Sequence, residues 1–300
     1  QLARVWTGYT YNYWNTNKPD GSKLPMTVNE SNHETGASTF LNTNIPAGTD
    51  TAGARKIALD ALFNHPNVGP FVARQLIQHL VTSNPSPAYV QRIAIVFNNN
   101  GSGVRGDMKS VVQALLTDNE ARSDVNLSST TFGRLKEPVM RLVHWARVCK
   151  VQSPKNTWPY GDTSSATWGL AQGEGHSPSV FNWFRPGYTP PGTSLSAQGL
   201  VAPEMQVENE ISVIQYVNFM QNAIINPQTD AKPDYTDLLA LAPSSLNLVN
   251  ELNLVLAAGQ INAITLDQIK TAVDTLSNMT DRVRVALLLV MASPDFLLQH

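Results

Sequence analysis

The sequence predicts a mainly α-helical fold: an irregular multi-helix domain with two long aromatic- and Gly/Pro-rich loops and no substantial sheet. Three observations carry this. Apolar residues recur at helical spacing from about Ala52 to Val151 and again from Glu204 to Phe296. Several of these segments open on residues that cap helices. No stretch alternates apolar and polar residues long enough to make a convincing strand.

Residues 9 to 25, "YTYNYWNTNKPDGSKLP", are aromatic, Asn-rich and broken by Pro and Gly, so residues 1–50 read as irregular. "ARKIALDALFNH" and "HPNVGPFVARQLIQHLV" follow as two helices. In the second, Val72, Ala73, Leu76, Ile77 and Leu80 share one face, and Arg74, Gln75 and Gln78 the other. "SNPSPAYVQRIAIVF" offers Ser86 as N-cap and Pro87 at the first helical position. Asp107 caps "MKSVVQALLTDNEAR" in the same way. "PVMRLVHWARVCKV" starts at Pro138 and is expected to bury Val139, Leu142, Val143, Trp145 and Ala146. From 151 to 203 the pattern fails, and a loop of that length is usually functional or mobile. Helices resume with "EMQVENEISVIQYVNFMQNAI", "SLNLVNELNLVLAAG" and "TLDQIKTAVDTL", where Thr265 and Gln268 read as a capping box. "DRVRVALLLVMASPDF" is the last. The chain thus reads as one helical domain over residues 1–300, with 1–50 irregular, 51–150 helical, 151–203 a long loop and 204–300 helical.

Composition narrows the function classes. Charged residues are 15% of the chain, against about 25% in an average soluble domain. The net charge of −2 favours neither nucleic acid nor an anionic membrane. The apolar run "VALLLVMA" is far short of the ~20 residues a membrane span needs. One cysteine, Cys149, forms no internal disulfide and no cysteine-based metal site. No Gly-x-Ser-x-Gly elbow, phosphate loop or dinucleotide fingerprint is present. "VFNNNGSGVRGD" would put Val96 at the first ligand position of a calcium loop and is rejected as one; its "RGD" reads as a turn leading into the Asp107 cap.

Several segments resemble a bacterial family, the domain of unknown function eighteen-hundred. They are "ARVWTG", "IPAGTDTAG", "ALDALFNHPNVGPFVARQLIQHLVTSNPSPAYVQRIA", "GVRGDMKSVVQALLTDNEAR", "LKEPVMRLV", "SPSVFNWFRPGYTPPG", "LVAPEMQ" and "LLLVMASPDF", in family order from Gln1 to about Phe296. The resemblance implies a bacterial protein, often exported to the periplasm or cell exterior. It also implies that "ARVWTG" follows an upstream helical half, so the chain is expected to be the C-terminal part of a longer domain whose N-terminal half is a missing partner. It implies no reaction and no cofactor.

His33 and Glu34, in "NESNHETGASTF", are the first catalytic candidates: an imidazole beside a carboxylate can shuttle a proton or bind a metal. Members of the family tend to have His followed by an acid here. The competing reading is a histidine that ties a loop down by hydrogen bonds. Glu174 and His176 can join His33 as a metal set. His65 shapes a helix junction, His79 flanks an apolar face, and His144, beside Arg141, reads as solvated. The aromatic stretches "YTYNYW", "WPYGDTSSATW" and "VFNWFRPGY" lie in irregular segments. Rings held out on rigid loops grip sugars, with Asp162, Glu174 and Glu204 available for hydroxyls. Trp158, Tyr160, Trp183 and Tyr188 are therefore substrate-binding candidates. "VFNWF", through Phe181, Trp183 and Phe184, reads instead as a plug that pins the loop. Two functions follow as expectations: an exported protein that binds or acts on an extracellular polymer such as polysaccharide, or a structural or assembly protein that contacts another surface protein.

Overall fold

The computed structural model describes residues 1–11, 24–180, 182–227 and 230–300. Helix dominates, and three two-stranded antiparallel ribbons are the only sheets among the described residues. The chain divides into two compact units, residues 1–72 and 73–300.

The first unit holds α1 (Leu2–Val5), β1 (Tyr9–Thr10), β2 (Thr27–Val28), β3 (Ser38–Phe40), β4 (Thr43–Ile45) and α2 (Thr51–Phe63). Residues expected to be irregular thus make two short ribbons. The β3–β4 hairpin pairs Ser38 with Ile45, and Leu41 and Asn42 at its tip both take positive φ. That is the mirror-image turn whose twist suits a two-residue hairpin. Asp50 caps α2 by accepting from the Gly53 N–H. The Glu30 carboxylate adds bonds from the Thr51 N–H at 3.1 Å and hydroxyl at 2.8 Å. A negative group at the first turn complements the helix dipole. Val5, Ile45, Ala54 and Ala58 form a small buried core.

The chain crosses into the second unit within α3 (Val68–Leu80). Between α2 and α3, the His65 Nδ1 accepts from the Asn67 N–H at 3.2 Å, which fixes the helix junction. α4 (Pro87–Asn98) and α5 (Met108–Thr117) pack together around Tyr89, Ile93, Phe97, Val111 and Leu115. Ser86 and Asp107 cap them as the sequence implied. α6 (Asn119–Arg122) and β5 (Arg134–Leu135) lead to α7 (Pro138–Val148). After the long loop, with its one-turn α8 (Ser194–Ala197), come α9 (Glu210–Ile225), α10 (Thr236–Leu241), α11 (Ser245–Ala257), α12 (Ala263–Asp274), α13 (Met279–Ala292) and α14 (Pro294–Leu297). β6 (Leu298–Gln299) returns to pair with β5.

α13 packs against α9, α11 and α12. Trp145, Met220, Leu248, Leu252, Val273, Leu287 and Phe296 are fully or almost fully buried in this core. Cys149 closes α7 there, 1% exposed, and burial pushes its thiol up to about 12.

Five sequence expectations are corrected. α12 starts two residues before Thr265, and its cap is Asn262, which accepts from the Thr265 N–H. Gln78 is not on a wet face: it is 3% exposed, and its amide donates to the carbonyls of Ser83 and Pro186. Leu80, expected in the core, is 41% exposed. Arg141 and His144 are not solvated. Arg141 is 1% exposed, and His144 bonds the Val255 carbonyl at 3.2 Å beside the Phe296 ring. Burial holds the His144 pKa below its usual value. α7 is covered on more than one side, so a single apolar stripe does not describe what it buries. Val139, Val143 and Ala146 are only half-buried.

Candidate functional site

In the first unit, His33 and Glu34 belong to one hydrogen-bonded clasp with α1. The Thr7 hydroxyl donates to the Arg4 carbonyl at 2.7 Å and accepts from the Glu34 N–H at 2.8 Å. His33 is 8% exposed, and its Nδ1 lies 3.1 Å from the Thr7 carbonyl oxygen and 3.2 Å from its hydroxyl. The Glu34 carboxylate accepts from Arg4 at 2.8 Å and from the Gly36 N–H at 3.0 Å, and these bonds hold its pKa below the usual carboxylate range. Gly8 has φ +86°, and a Cβ there would meet the Asn29 carbonyl at 3.0 Å and the His33 Cβ at 3.2 Å. The "ARVWTG" and "HE" motifs are therefore two halves of one joint, with Arg4 on Glu34, Thr7 on His33, and Gly8 leaving His33 room. The cavity beside them is about 10 Å³, room for roughly one water.

The long loop of the second unit is built from polar clips. At its start the Asp230 carboxylate accepts from the hydroxyls of Ser153 and Thr157 and the N–H groups of Lys155 and Thr157. These bonds hold Asp230 far below the usual carboxylate range. Gln152 and Lys232 pair main chain to main chain. Further on, the Thr163 carbonyl accepts from the N–H groups of Leu170 and Gln172, closing a turn. Ser165 Oγ lies within reach of the N–H groups of Thr167 and Trp168, at 3.3 Å each. Gly169 sits so close to Thr163 that a Cβ would meet its carbonyl oxygen at 2.7 Å and two more main-chain atoms within 2.9 Å. At the end of the loop, Asn84 pairs reciprocally with the Val201 main chain at 2.9 Å for each bond.

The loop also plugs into the protein, at two places. Phe184 is 4% exposed, its ring 5.8 Å from that of His79. Leu170, Ala171 and Gln172 form a second plug that the sequence did not reveal. Gln172 donates to Glu137 at 2.5 Å and accepts from the Val139 N–H at 3.3 Å, tying the loop to the start of α7. Arg134 bridges Glu137 at 3.1 Å and Glu204 at 3.3 Å. Glu204 is 1% exposed, and burial raises its pKa. It is therefore not a surface group for sugar hydroxyls. Phe181, the other expected plug residue, lies outside the described residues.

The aromatic candidates separate by exposure. Trp158 is 47% exposed, its indole N–H bonded to Asn156 at 2.9 Å. Tyr160 turns inward against Phe219, ring centroids 6.4 Å apart, with its hydroxyl buried and without a partner among the described residues. Trp183 is half-buried. Tyr188 lines a cavity of about 330 Å³. The residue that the individual candidates omitted is Trp168, 84% exposed at the turn closed on Thr163. Its signal was present in "TSSATWG", a ring between hydroxyl-bearing turn residues and a glycine. Glu174 and His176 are both exposed, in the same loop. Among the described residues no three His, Cys, Asp or Glu form a group that can hold a metal ion; of the expected metal set, His33 belongs to the first unit, and Glu174 and His176 to the second. No helix among the described residues is long and apolar enough to cross a membrane.

Comparison with curated proteins and with solved structures finds no match. The family model described as protein of unknown function (DUF1800) matches residues 1–298. On that match, the chain belongs to the DUF1800 family.

Proposed function

We propose that this is an exported bacterial protein that binds an extracellular polymer, a polysaccharide, through the exposed rings of its long loop. The observation that carries the reading is Trp168: an indole 84% exposed on a turn whose main chain is locked and whose Gly169 admits no side chain. A rigid exposed ring loses little conformational entropy when it binds. Its flat apolar face suits the apolar face of a pyranose. Trp158 supplies a second exposed ring in the same loop, and Asn156, Asp162 and Glu174 are exposed polar partners for hydroxyls.

The test is co-sedimentation with insoluble cellulose, chitin and peptidoglycan, followed by titration of tryptophan fluorescence with soluble oligosaccharides of whichever polymer retains the protein. Retention that falls by at least about tenfold in Trp168→Ala, with an unchanged thermal midpoint, is the expected result. Retention by none of the polymers, or equal retention of the variant, overturns it. The assembly reading draws on Val180, 96% exposed in the same loop, and on the low charge. It predicts self-association or capture of another surface protein that Val180→Asp abolishes and sugars do not.

A further inference from the structure

The second unit contains a cavity of about 330 Å³ beneath Tyr188 and Pro190. Protein interiors hold few voids larger than a water, and ligand pockets run from roughly 300 to 1,000 Å³. Its wall is mostly apolar, with Leu135, Met205, Val217, Ala292 and Leu297 among the lining side chains. Two charged groups interrupt it. Arg141, 1% exposed, bridges Glu208 at 2.6 Å, and its guanidinium lies 4.8 Å from the centroid of the Tyr216 ring. The Arg141 Nε is held by the Lys136 carbonyl at 2.7 Å.

The rim is as fixed as the floor. The Tyr188 N–H donates to the Arg185 carbonyl at 3.0 Å, the Tyr188 carbonyl accepts from the Ala202 N–H at 2.8 Å, and the Thr189 hydroxyl donates to the Leu200 carbonyl at 3.0 Å. The pocket is thus formed before anything enters it. Stability alone does not explain the ion pair, because apolar residues of similar volume in place of a buried pair are often neutral or stabilising. The pair does give an apolar cavity one polar spot without net charge. A carboxylate entering it meets Glu208, an ammonium meets Arg141, and either loses its hydration. A neutral hydroxyl or amide meets a donor and an acceptor.

We propose that this cavity is a binding site for a small, uncharged, mainly apolar molecule that carries one hydroxyl or amide and sets that group against the Arg141–Glu208 pair. Trp168 is not among the residues that line the site, and the proposal does not depend on the polymer reading.

The experiment uses the full chain and 1-N-phenylnaphthylamine, an uncharged fluorescent probe. Saturable one-site enhancement is expected. 2-Naphthol should displace the probe at least about fivefold better than 2-naphthoate or 2-naphthylmethylammonium, since a charge buried without a partner is costly. Val213 is half-exposed on α9 at the cavity wall, so Val213→Trp fills the mouth from the solvent side. It should weaken the probe by at least about tenfold while the thermal midpoint stays that of the native chain. The proposal is overturned by unsaturable binding, by charged naphthalenes that compete as well as the naphthol, or by full affinity in a folded Val213→Trp. The charge series needs no variant, so it decides the matter even where the substitution unfolds the chain.

Discussion

The bundle of α9 and α11–α13 and the loop 151–203 belong to the same compact unit, yet they are ordered by different physics. The bundle buries aliphatic side chains on every helix, and its interior is close-packed around Leu252, Val283 and Leu287. The loop buries Leu170, Ala171 and Phe184 and leaves Trp168 and Val180 in water. Its order comes from short side chains that bond the main chain, from Asp230 as a clip and from glycines that permit close approach. A surface held by directional bonds can keep its shape while its large rings stay free. A surface held by burial cannot, because the rings are then spent on the core.

The largest effect expected from this contrast lies in the bundle. Leu252→Ala removes a fully buried side chain and should cost about 2–5 kcal/mol. Urea unfolding followed by far-UV circular dichroism measures this, and a loss near zero means that the core is not the source of stability. Gly169→Ala comes next. Its Cβ has no room against the Thr163 main chain, and overpacking of this kind costs about 1–3 kcal/mol. The damage should be local: limited proteolysis should nick residues 162–173 of the variant first while helix content is kept. Uniform loss of helix would show that loop and bundle are one cooperative body.

Acid should separate the two regions as well. The folded-state pKa of Asp230 lies below the ordinary 3.8 because four donors hold its carboxylate. A depressed carboxylate pKa stabilises the native state fully above the unfolded pKa. That contribution is lost as pH falls from there through the folded pKa. Tryptophan emission should therefore change in strong acid before the helix signal does, and Asp230→Asn should already show the acid emission at neutral pH. Coincident changes in both signals would refute the clip. The smallest effect on stability belongs to Trp168→Ala, within about 0.5 kcal/mol by denaturant unfolding, because the ring buries little. A larger loss would mean that Trp168 is a structural residue.

The helices were legible because aliphatic spacing and caps such as Ser86 and Asp107 are local signals. The buried polar residues were not. Gln78 and Arg141 fall on faces that a helical wheel assigns to solvent, and only the tertiary partners, Ser83 and Pro186 for one and Glu208 for the other, account for their burial. Asn262 is the cap of α12, although Thr265–Gln268 makes the more conspicuous local pattern. At the candidate site, the sequence marked the aromatic loop but not which rings face water. Tyr160 and Trp168 sit in the same short stretch with similar neighbours, and only the turn closed on Thr163 distinguishes them. The His33 clasp was readable as chemistry, whereas its geometry depends on Gly8 and Thr7, far away in the chain.

The lone thiol of Cys149 has a practical consequence. It is sealed against the core and its pKa is pushed up to about 12, so the reactive thiolate is scarce and unreachable in the native state. Alkylation must wait for the C-terminal end of α7 to open, which makes the labelling rate a stopwatch for that opening. A second cysteine engineered into the Trp168 turn would react at once by comparison. One chain would then carry a fast reporter of the loop and a slow reporter of the core, with the native thiol left in place.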